Sequence, residues 1–264
     1  MKVILHADDF GFDKDTLDAT IECFERGALT SCSVMVNCEA SEEAFDYARK
    51  HPMFSYGVHL MYVDGLKPVL PVKEIASLVD EKGVFLPSND VRKLAVLLRL
   101  PKEQIMAESQ AQIDKIERAG VKVSHLDSHG HLHKFPSFLY AMKFLKVGGV
   151  PVSKVRGVQN VFVNAPSWKS PNTYLNRYFR WYLDRNFMNP TYFYMSANSM
   201  DTFWADSILR KMDLLPQDSV IEIGVHPGHR EKWRQLEFDD ILDLADKIKT
   251  TRKHQLVNWN EIRS

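Results

Sequence analysis

The first 60 residues alternate short apolar segments with amphipathic ones, and this order constrains the fold more than any other feature of the sequence. Val3–Leu5, Ser31–Val36 and Tyr56–Leu60 are predicted strands, while Lys14–Arg26 and Glu42–Lys50 are predicted helices. A β-α-β-α-β order predicts a parallel sheet with helices outside it. We therefore expect an α/β fold.

The rest of the chain continues the alternation. Further strands are predicted from 121 into the polar cluster that starts at 125, and at 152–155, 191–194, 219–223 and 255–257. Further helices are predicted at 94–98, 101–119, 136–146, 202–212 and 239–249. No linker, internal repeat or low-complexity tract divides the 264 residues. We predict a single domain over residues 1–264, a (β/α) barrel of seven or eight parallel strands.

Two segments depart from this alternation. Residues 61–90 carry several prolines and glycines with weak periodicity, and we interpret them as one wall of a substrate cleft. Residues 164–190 are aromatic and basic, with Trp168, Tyr174, Tyr178, Phe179, Trp181, Tyr182 and Phe187. Such a stripe favours a core-facing helix over a sugar-stacking wall.

Residues 125–133 form the densest polar cluster, with the sequence His-Leu-Asp-Ser-His-Gly-His-Leu-His. In an alternating strand, Asp127, His129, His131 and His133 would share one side. Histidine is the commonest metal ligand and is suited to proton transfer near neutral pH. Solvated loop histidines are the alternative, but four of them with an aspartate favour a metal or catalytic site.

Polar residues follow most of the other predicted strands as well. The set comprises Asp8, Asp9, Asn37, His59, Asp127, His129, Arg156 and His226. In a (β/α) barrel, strand carboxyl ends meet at one rim, where active sites lie. The structural alternatives are that Asp9 caps the first helix and that His59 is a core histidine. Convergence of the whole set favours a functional rim.

These residue types suit metal-assisted hydrolysis. A carboxylate with two histidines is a common hydrolytic ligand set, and it also suits iron or manganese. Of two adjacent aspartates, one can bind metal while the other deprotonates the attacking water, provided that Phe10–Gly11 turns the chain. His226, followed by Pro227 and Gly228, fits a general acid for the leaving group.

Composition narrows the partners and the compartment. Basic and acidic residues number 34 each, so electrostatics give no case for nucleic acid or an acidic membrane surface. Three cysteines without paired-ligand spacing predict reduced thiols in a cytoplasmic protein. The N-terminal apolar run is too short and too soon acidic for a signal peptide, and no run approaches transmembrane length.

Four motifs, in order, resemble those of the YdjC-like (ChbG/HpnK) carbohydrate deacetylase family. They are Ala7-Asp8-Asp9-Phe10-Gly11, Gly57-Val58-His59, the segment 125–133, and Val225-His226-Pro227-Gly228. Together they span residues 3 to about 229, and the first and third are highly specific as a pair. Thr30-Ser31 and Val36-Asn37 also resemble the second-strand segment of the family.

The resemblance implies a distorted (β/α) barrel that removes an N-acetyl group from an amino sugar or chitooligosaccharide and releases acetate. It assigns Asp9, His59 and His129 to a divalent metal that activates water, Asp8 to the general base and His226 to the general acid. Magnesium is the implied metal, although two histidines would suit zinc. A small carbohydrate is the implied partner, and a homodimer is compatible with the family.

Around these residues, Asn37, Asp127 and Arg156 are expected to contact substrate or to support the site, and His125, His131 and His133 to shape the rim. His6 stands where the family often has asparagine, which would alter the surroundings of Asp8. The segment after His59 also departs from the family pattern. A multi-metal, histidine-rich phosphoesterase and an inactive carbohydrate-binding homologue are the competing hypotheses.

Overall fold

The protein is described by a computed structural model covering residues 1–163, 171–196 and 203–262. Its strands are β1 (Lys2–Phe10), β2 (Ser31–Val34), β3 (Ser55–Leu60), β4 (Val123–Ser128), β5 (Lys146–Val147), β6 (Val150–Pro151), β7 (Tyr192–Met195), β8 (Val220–Val225) and β9 (Gln255–Leu256). Its helices are α1 (Lys14–Glu25), α2 (Ser41–Lys50), α3 (Ser88–Val96), α4 (Lys102–Arg118), α5 (Pro136–Met142), α6 (Pro171–Asn186), α7 (Ala205–Leu214) and α8 (Lys232–Thr251).

Seven strands form one parallel, curled sheet in the order β4-β3-β2-β1-β8-β7, with β9 also paired to β1. The predicted barrel-like α/β fold is therefore confirmed, as a half-barrel. The predicted strand 152–155 is reduced to bridges from Val155 to Leu126 and from Lys154 to Met188, between the two sheet edges. The two-residue strands β5 and β6 form a separate hairpin.

Side chains of β1 alternate between an apolar and a polar environment. Val3 and Leu5 join the main hydrophobic core, whereas Ile4 packs in a small cluster with Trp259. On the Ile4 side, His6 contacts Ser31 of β2, and Asp8 accepts a hydrogen bond from Arg156. The interior of the half-barrel is therefore apolar around Ile4 and polar from His6 toward the carboxyl ends of the strands.

Two boundaries differ from the sequence predictions in ways that change the site. Strand β4 ends at Ser128, and His129–Lys134 form a 3₁₀ turn, so the predicted alternation does not reach His131 or His133. Helix α8 begins at Lys232 rather than at residue 239, because its buried face continues back through Phe238 to Arg234. The helix is therefore about two turns longer than predicted, and the added turns bring Arg234 to Asp9 and Glu237 to His226.

The 61–90 segment and the described part of the aromatic segment, residues 171–190, also have defined structures. In α6, Phe179 and Leu183 are buried, but Tyr174, Tyr178 and Trp181 are 43–58% exposed, so only one face of the aromatic stripe is core-facing. Trp168 and Thr202 lie outside the described residues. In the 61–90 segment, the amides of Val69 and Leu70 donate hydrogen bonds of 2.9 and 3.0 Å to Glu108 of α4. Its role as a cleft wall stays a prediction.

Within the described parts of the chain, every helix is too short or too polar to cross a membrane.

Candidate active site

The two adjacent aspartates reach the rim through a distortion at the end of β1. The pairing of β1 with β2 shifts register between Ala7 and Phe10, and Asp9 has a left-handed backbone, with φ of 61°. This conformation is uncommon for a residue other than glycine. The turn that the sequence predicts at Phe10–Gly11 thus begins at Asp9. It lets the carboxylates of Asp8 and Asp9 both contact rim residues, whereas adjacent residues of a regular strand point to opposite faces of the sheet.

Asp9, His59 and His129 form a three-residue donor group. The Oδ1 atom of Asp9 lies 3.4 Å from Nε2 of His59 and 3.0 Å from Nδ1 of His129. The potential ligand atoms of the three residues all lie within 4.8 Å of one another. A carboxylate and two imidazoles at this spacing fit one divalent cation. The residues come from the ends of three strands, as the sequence predicted.

Neighbouring side chains hold this group in a ligand-like orientation. Nδ1 of His59 lies 2.9 Å from Oδ1 of Asp127, which leaves Nε2 directed at Asp9. A carboxylate on the far nitrogen of a histidine is the usual way to orient a metal ligand. Ser33 of β2 also bonds both His59 and Asp127, so the ring is fixed from two sides.

The electrostatics of the group favour a bound cation. Burial disfavours the charge on Asp9, but His129 and His59 hold the pKa of the carboxyl well below its usual range. Burial also disfavours a charged His59, yet the Asp127 and Asp9 carboxylates raise its pKa to about 10. The negative charge that holds a proton on His59 would equally favour a metal ion in its place.

Arg234, near the start of α8, supports the other side of Asp9. Its Nη2 donates a 2.9 Å hydrogen bond to Oδ2, which leaves Oδ1 facing the two histidines. A Cβ on Gly228 would lie 2.9 Å from Cδ of Arg234. The glycine of the fourth sequence motif is therefore needed for this close approach. The sequence predictions missed Arg234 because they began the last helix too late.

Asp8 is held by a buried arginine. Nη1 of Arg156 donates a 2.8 Å hydrogen bond to Oδ2 of Asp8 and lies 2.8 Å from Oδ2 of Asp127. Its Nε and Nη2 donate to Oε1 of Glu222 at 3.0 and 2.9 Å. Burial acts to raise the pKa of Asp8, but the guanidinium dominates and lowers it. The guanidinium thus keeps Asp8 ionised near neutral pH.

His226 follows β8 and faces Asp8 across the rim. Its Nδ1 lies 3.1 Å from Oε2 of Glu237, and its Nε2 lies 3.8 Å from Oδ2 of Asp8. Glu237 also accepts a hydrogen bond from the His226 backbone amide. Burial opposes protonation of the ring, but the Glu237, Asp9 and Asp8 carboxylates raise its pKa above the ordinary value. The ring is therefore suited to carry a proton on Nε2.

A buried polar network lies beneath these residues. His6 contacts Ser31 through Nδ1 and Ser33 through Nε2, at 2.9 and 3.1 Å, and its Nε2 lies 3.5 Å from Asp8. Burial and Arg156 lower the pKa of His6 to about 3, so the ring is neutral. Burial raises the pKa of Glu222 to about 7, despite Arg156. A charged residue inside an apolar strand was the signal that could have identified Glu222.

Most of the predicted rim residues come together here: Asp8, Asp9, His59, Asp127, His129, Arg156 and His226. Asn37 has other partners, since its side chain bonds Lys67 O and Lys115 Nζ, each at 3.0 Å. Its contact with substrate stays a prediction. His133 is buried against Ser128, and His125 stacks on Trp259. A Cβ on Gly57 would lie 2.5 Å from Nε2 of His125, which explains that glycine beside His59.

Comparison with known sequences agrees with the family resemblance of the four sequence motifs. The profile of a family described as YdjC-like protein matches residues 2–258. A carbohydrate deacetylase from Enterococcus faecalis is 30% identical over 235 residues, covering 86% of this chain and 80% of that protein. One from Brevibacillus brevis is 36% identical over 153 residues, covering 58% of each chain. The matches to several of these relatives thus span little more than half of their length.

Comparison with solved structures supports the fold alone. A crystal structure from Enterococcus faecalis V583, of a protein provisionally named for cellobiose-phosphate cleavage, aligns with a TM-score of 0.77 at 23% identity. The alignment covers 100% of this chain and 99% of that one.

Proposed function

Since the chain belongs to the YdjC-like protein family, we propose that it is a metal-dependent hydrolase that removes an N-acetyl group from an N-acetylated amino sugar or short chitooligosaccharide. The observation that carries the proposal is the donor group of Asp9, His59 and His129, with ligand atoms within 4.8 Å, flanked by Asp8 and His226. The curated relatives named carbohydrate deacetylase support the choice of substrate class.

A divalent cation held by Asp9, His59 and His129 would supply Lewis-acid polarisation of the substrate's amide carbonyl. The resemblance implies magnesium, whereas the two imidazole donors favour zinc on ligand softness. We therefore expect activity with more than one divalent cation.

The proposed proton transfers use residues on either side of that group. Asp8 accepts a proton from the water whose oxygen attacks the acetyl carbon, while Arg156 fixes the carboxylate. Nε2 of His226 donates a proton to the amide nitrogen as the carbon–nitrogen bond breaks, and Glu237 holds the Nδ1 side of the ring. Return of the proton from Asp8 to His226, whose Nε2 lies 3.8 Å from Oδ2 of Asp8, resets both groups. The acetic acid formed passes a proton to the released amine, so the products are acetate and the protonated amino sugar.

Acetate release tests the proposal. The protein, supplied in turn with magnesium, zinc and manganese, should release acetate from at least one member of a panel of N-acetylglucosamine oligomers, and a chelator should abolish the release. No acetate from any member with any metal would reject the proposal. Phosphate release from model esters, without acetate release, would favour the phosphoesterase instead.

Replacing Glu237 with glutamine should shift the alkaline limb of the pH–rate profile downward by about one pH unit. The carboxylate raises the pKa of His226, so its removal lowers that pKa, and the protonated acid is lost at a lower pH. The profile of kcat against pH measures this shift. Glu103→Gln, at an exposed position of α4, is the control and should leave the profile unchanged. A reduced rate with an unshifted alkaline limb would show that Glu237 does not act through His226.

A further inference from the structure

Glu222 is a fully buried carboxyl group that the proposed proton transfers do not use. It lies on β8 between Ile221 and Ile223, which both belong to the main hydrophobic core. Its own side chain is directed to the polar interior of the half-barrel, where it contacts Arg156. Burying a carboxyl group costs free energy unless hydrogen bonds offset that cost. The contacts of Glu222 therefore indicate what the residue contributes.

One oxygen of Glu222 accepts three hydrogen bonds. Oε1 accepts from Nε and Nη2 of Arg156, at 3.0 and 2.9 Å, and from Nε1 of Trp259, at 3.3 Å. Oε2 is buried and has no hydrogen-bond partner in the part of the chain that the structure describes. Burial raises the pKa of this carboxyl to about 7. A proton on Oε2 would leave Oε1 free to accept the same three bonds, so the acceptor is present in both protonation states.

These bonds hold the edge of Arg156 that lies away from the proposed base. Nη1, at the other side of the guanidinium, donates a 2.8 Å hydrogen bond to Oδ2 of Asp8. The guanidinium is a rigid plane, so fixing Nε and Nη2 also fixes the direction of Nη1. Because Arg156 is 0% exposed, neighbouring side chains rather than bulk water determine that direction.

The other surroundings of Arg156 restrain it less. Its amide donates to Leu126 O at 2.9 Å, but the segment around it makes only isolated bridges to the sheet. The ring centroid of Phe193 lies 5.1 Å from Cζ, and a ring contact sets no direction for the individual nitrogens. The orientation of the guanidinium therefore depends on its carboxylate partners.

Of the two aspartates that Nη1 reaches, Asp8 depends more on Arg156. Asp127 lies 2.8 Å from Nη1, but it is also bonded by Ser33 and His59, each at 2.9 Å. Asp8 receives its hydrogen bond from Arg156, and its contacts with His6 and His226 are longer, at 3.5 and 3.8 Å. A displaced guanidinium would therefore move Asp8 first.

We propose that Glu222 is a positioning residue: by holding Nε and Nη2 of Arg156, it keeps Nη1 against the carboxylate of Asp8. The inference rests on the proposed function, in which Asp8 accepts the proton of the attacking water. The role depends on the reach of Oε1 and not on the charge of the side chain. It extends the active site to a residue on the far side of Arg156.

Two substitutions separate reach from charge. Glu222→Gln keeps an oxygen at the same reach and removes the charge, whereas Glu222→Asp keeps the charge and withdraws it by one bond length, about 1.5 Å. A misplacement of about 1 Å can cost about 100-fold in rate, so kcat for acetate release should fall at least about 30-fold in Glu222→Asp, with KM changed less than about threefold. Glu222→Gln should stay within about threefold of the unsubstituted protein in both values.

The control is Glu103→Asp, the same change at an exposed position of α4, which should alter neither value. Equal losses in Glu222→Gln and Glu222→Asp would assign the effect to charge or to folding and overturn the inference. An unchanged kcat in Glu222→Asp, or a loss confined to KM, would overturn it as well.

A double substitution tests the route through Asp8. In Asp8→Asn the base is already absent, so adding Glu222→Asp should lower the residual kcat less than about threefold, because the two changes act through one group. Independent, multiplying losses would show that Glu222 does not act through Asp8 and would contradict the inference.

Hydrogen exchange at Nε–H of Arg156 separates this inference from the proposed deacetylation. The resonance is assigned by nuclear magnetic resonance from its loss in Arg156→Lys. It should exchange slowly in the unsubstituted protein and in Glu222→Gln, and at least about tenfold faster in Glu222→Asp. This order of exchange without acetate release from any sugar rejects only the proposed deacetylation. Equal exchange in all three proteins overturns the positioning of Arg156 by Glu222.

Discussion

Replacing Asp8 with asparagine should lower kcat for acetate release by about 10³-fold and leave metal binding intact. The amide cannot accept a proton from water, so the proposed base is lost. Asparagine retains the size of the side chain, and Arg156 keeps its partners Asp127 and Glu222. The proposed metal group is not altered by the substitution, because Asp8 is not one of its members.

Three measurements on Asp8→Asn are needed together: kcat, metal content per chain and the free energy of unfolding. Asp218→Asn, at an exposed position before β8, is the matched control and should behave as the unsubstituted protein. Turnover within tenfold of the original value would remove Asp8 from the role of base. Loss of metal together with turnover would place Asp8 among the ligands instead.

Replacing His129 with alanine should weaken metal binding by at least about 100-fold and abolish turnover at ordinary metal concentrations. His129 contacts Asp9 at 3.0 Å, and its side chain is 29% exposed. Truncation at this partly exposed position should therefore disturb folding less than the loss of the fully buried His59 would. Since the proton-transfer residues remain, excess metal should restore part of the activity.

Metal titration followed by acetate release measures both effects in one sample. His229→Ala provides a control, because its imidazole is also partly exposed, at 39%, and contacts Glu22 rather than the rim aspartates. Unchanged metal affinity in His129→Ala would exclude this residue from the ligand set. Lost activity that excess metal never restores would assign His129 a role other than metal binding.

The sequence predicted the convergence of the rim residues because parallel strands align their carboxyl ends. Asp8, Asp9, His59 and His226 each follow a strand whose apolar pattern is clear, so their meeting required only the strand order. The same pattern could not place Asn37, whose direction depends on the loop after β2 and on a contact with Lys115.

The pattern of polar residues after strands could not predict site residues that lie on a helix. Arg234 and Glu237 lie on α8, and the polar stretch before Phe238 gave no clear start for this helix. Phe238, Ile241 and Ile248 are buried at helical spacing, and the same buried face includes Glu237 and, one turn earlier, Arg234. A longer window for helical periodicity would have included both residues in the predicted helix.

Local backbone strain was also invisible in the sequence. Alternation over 125–133 predicted a shared face for four side chains, but the left-handed Gly130 and His131 end it. In the same way, the chain turns at the left-handed Asp9, one residue before the turn predicted at Phe10–Gly11. Both departures occur beside the proposed metal group, where tertiary contacts outweigh local propensity.

A metal-bound structure tests the proposed centre most directly. Crystals soaked in manganese, measured at a wavelength where manganese scatters anomalously, should show one strong peak with Asp9, His59 and His129 as ligands, at about 2.0–2.3 Å. Two further groups of potential ligands among the described residues should stay empty: His6, His125 and Glu222, and His6, Asp8 and Asp127. A peak at either of these groups with none at Asp9, or two or more ions at the rim, would contradict the single-metal deacetylase site.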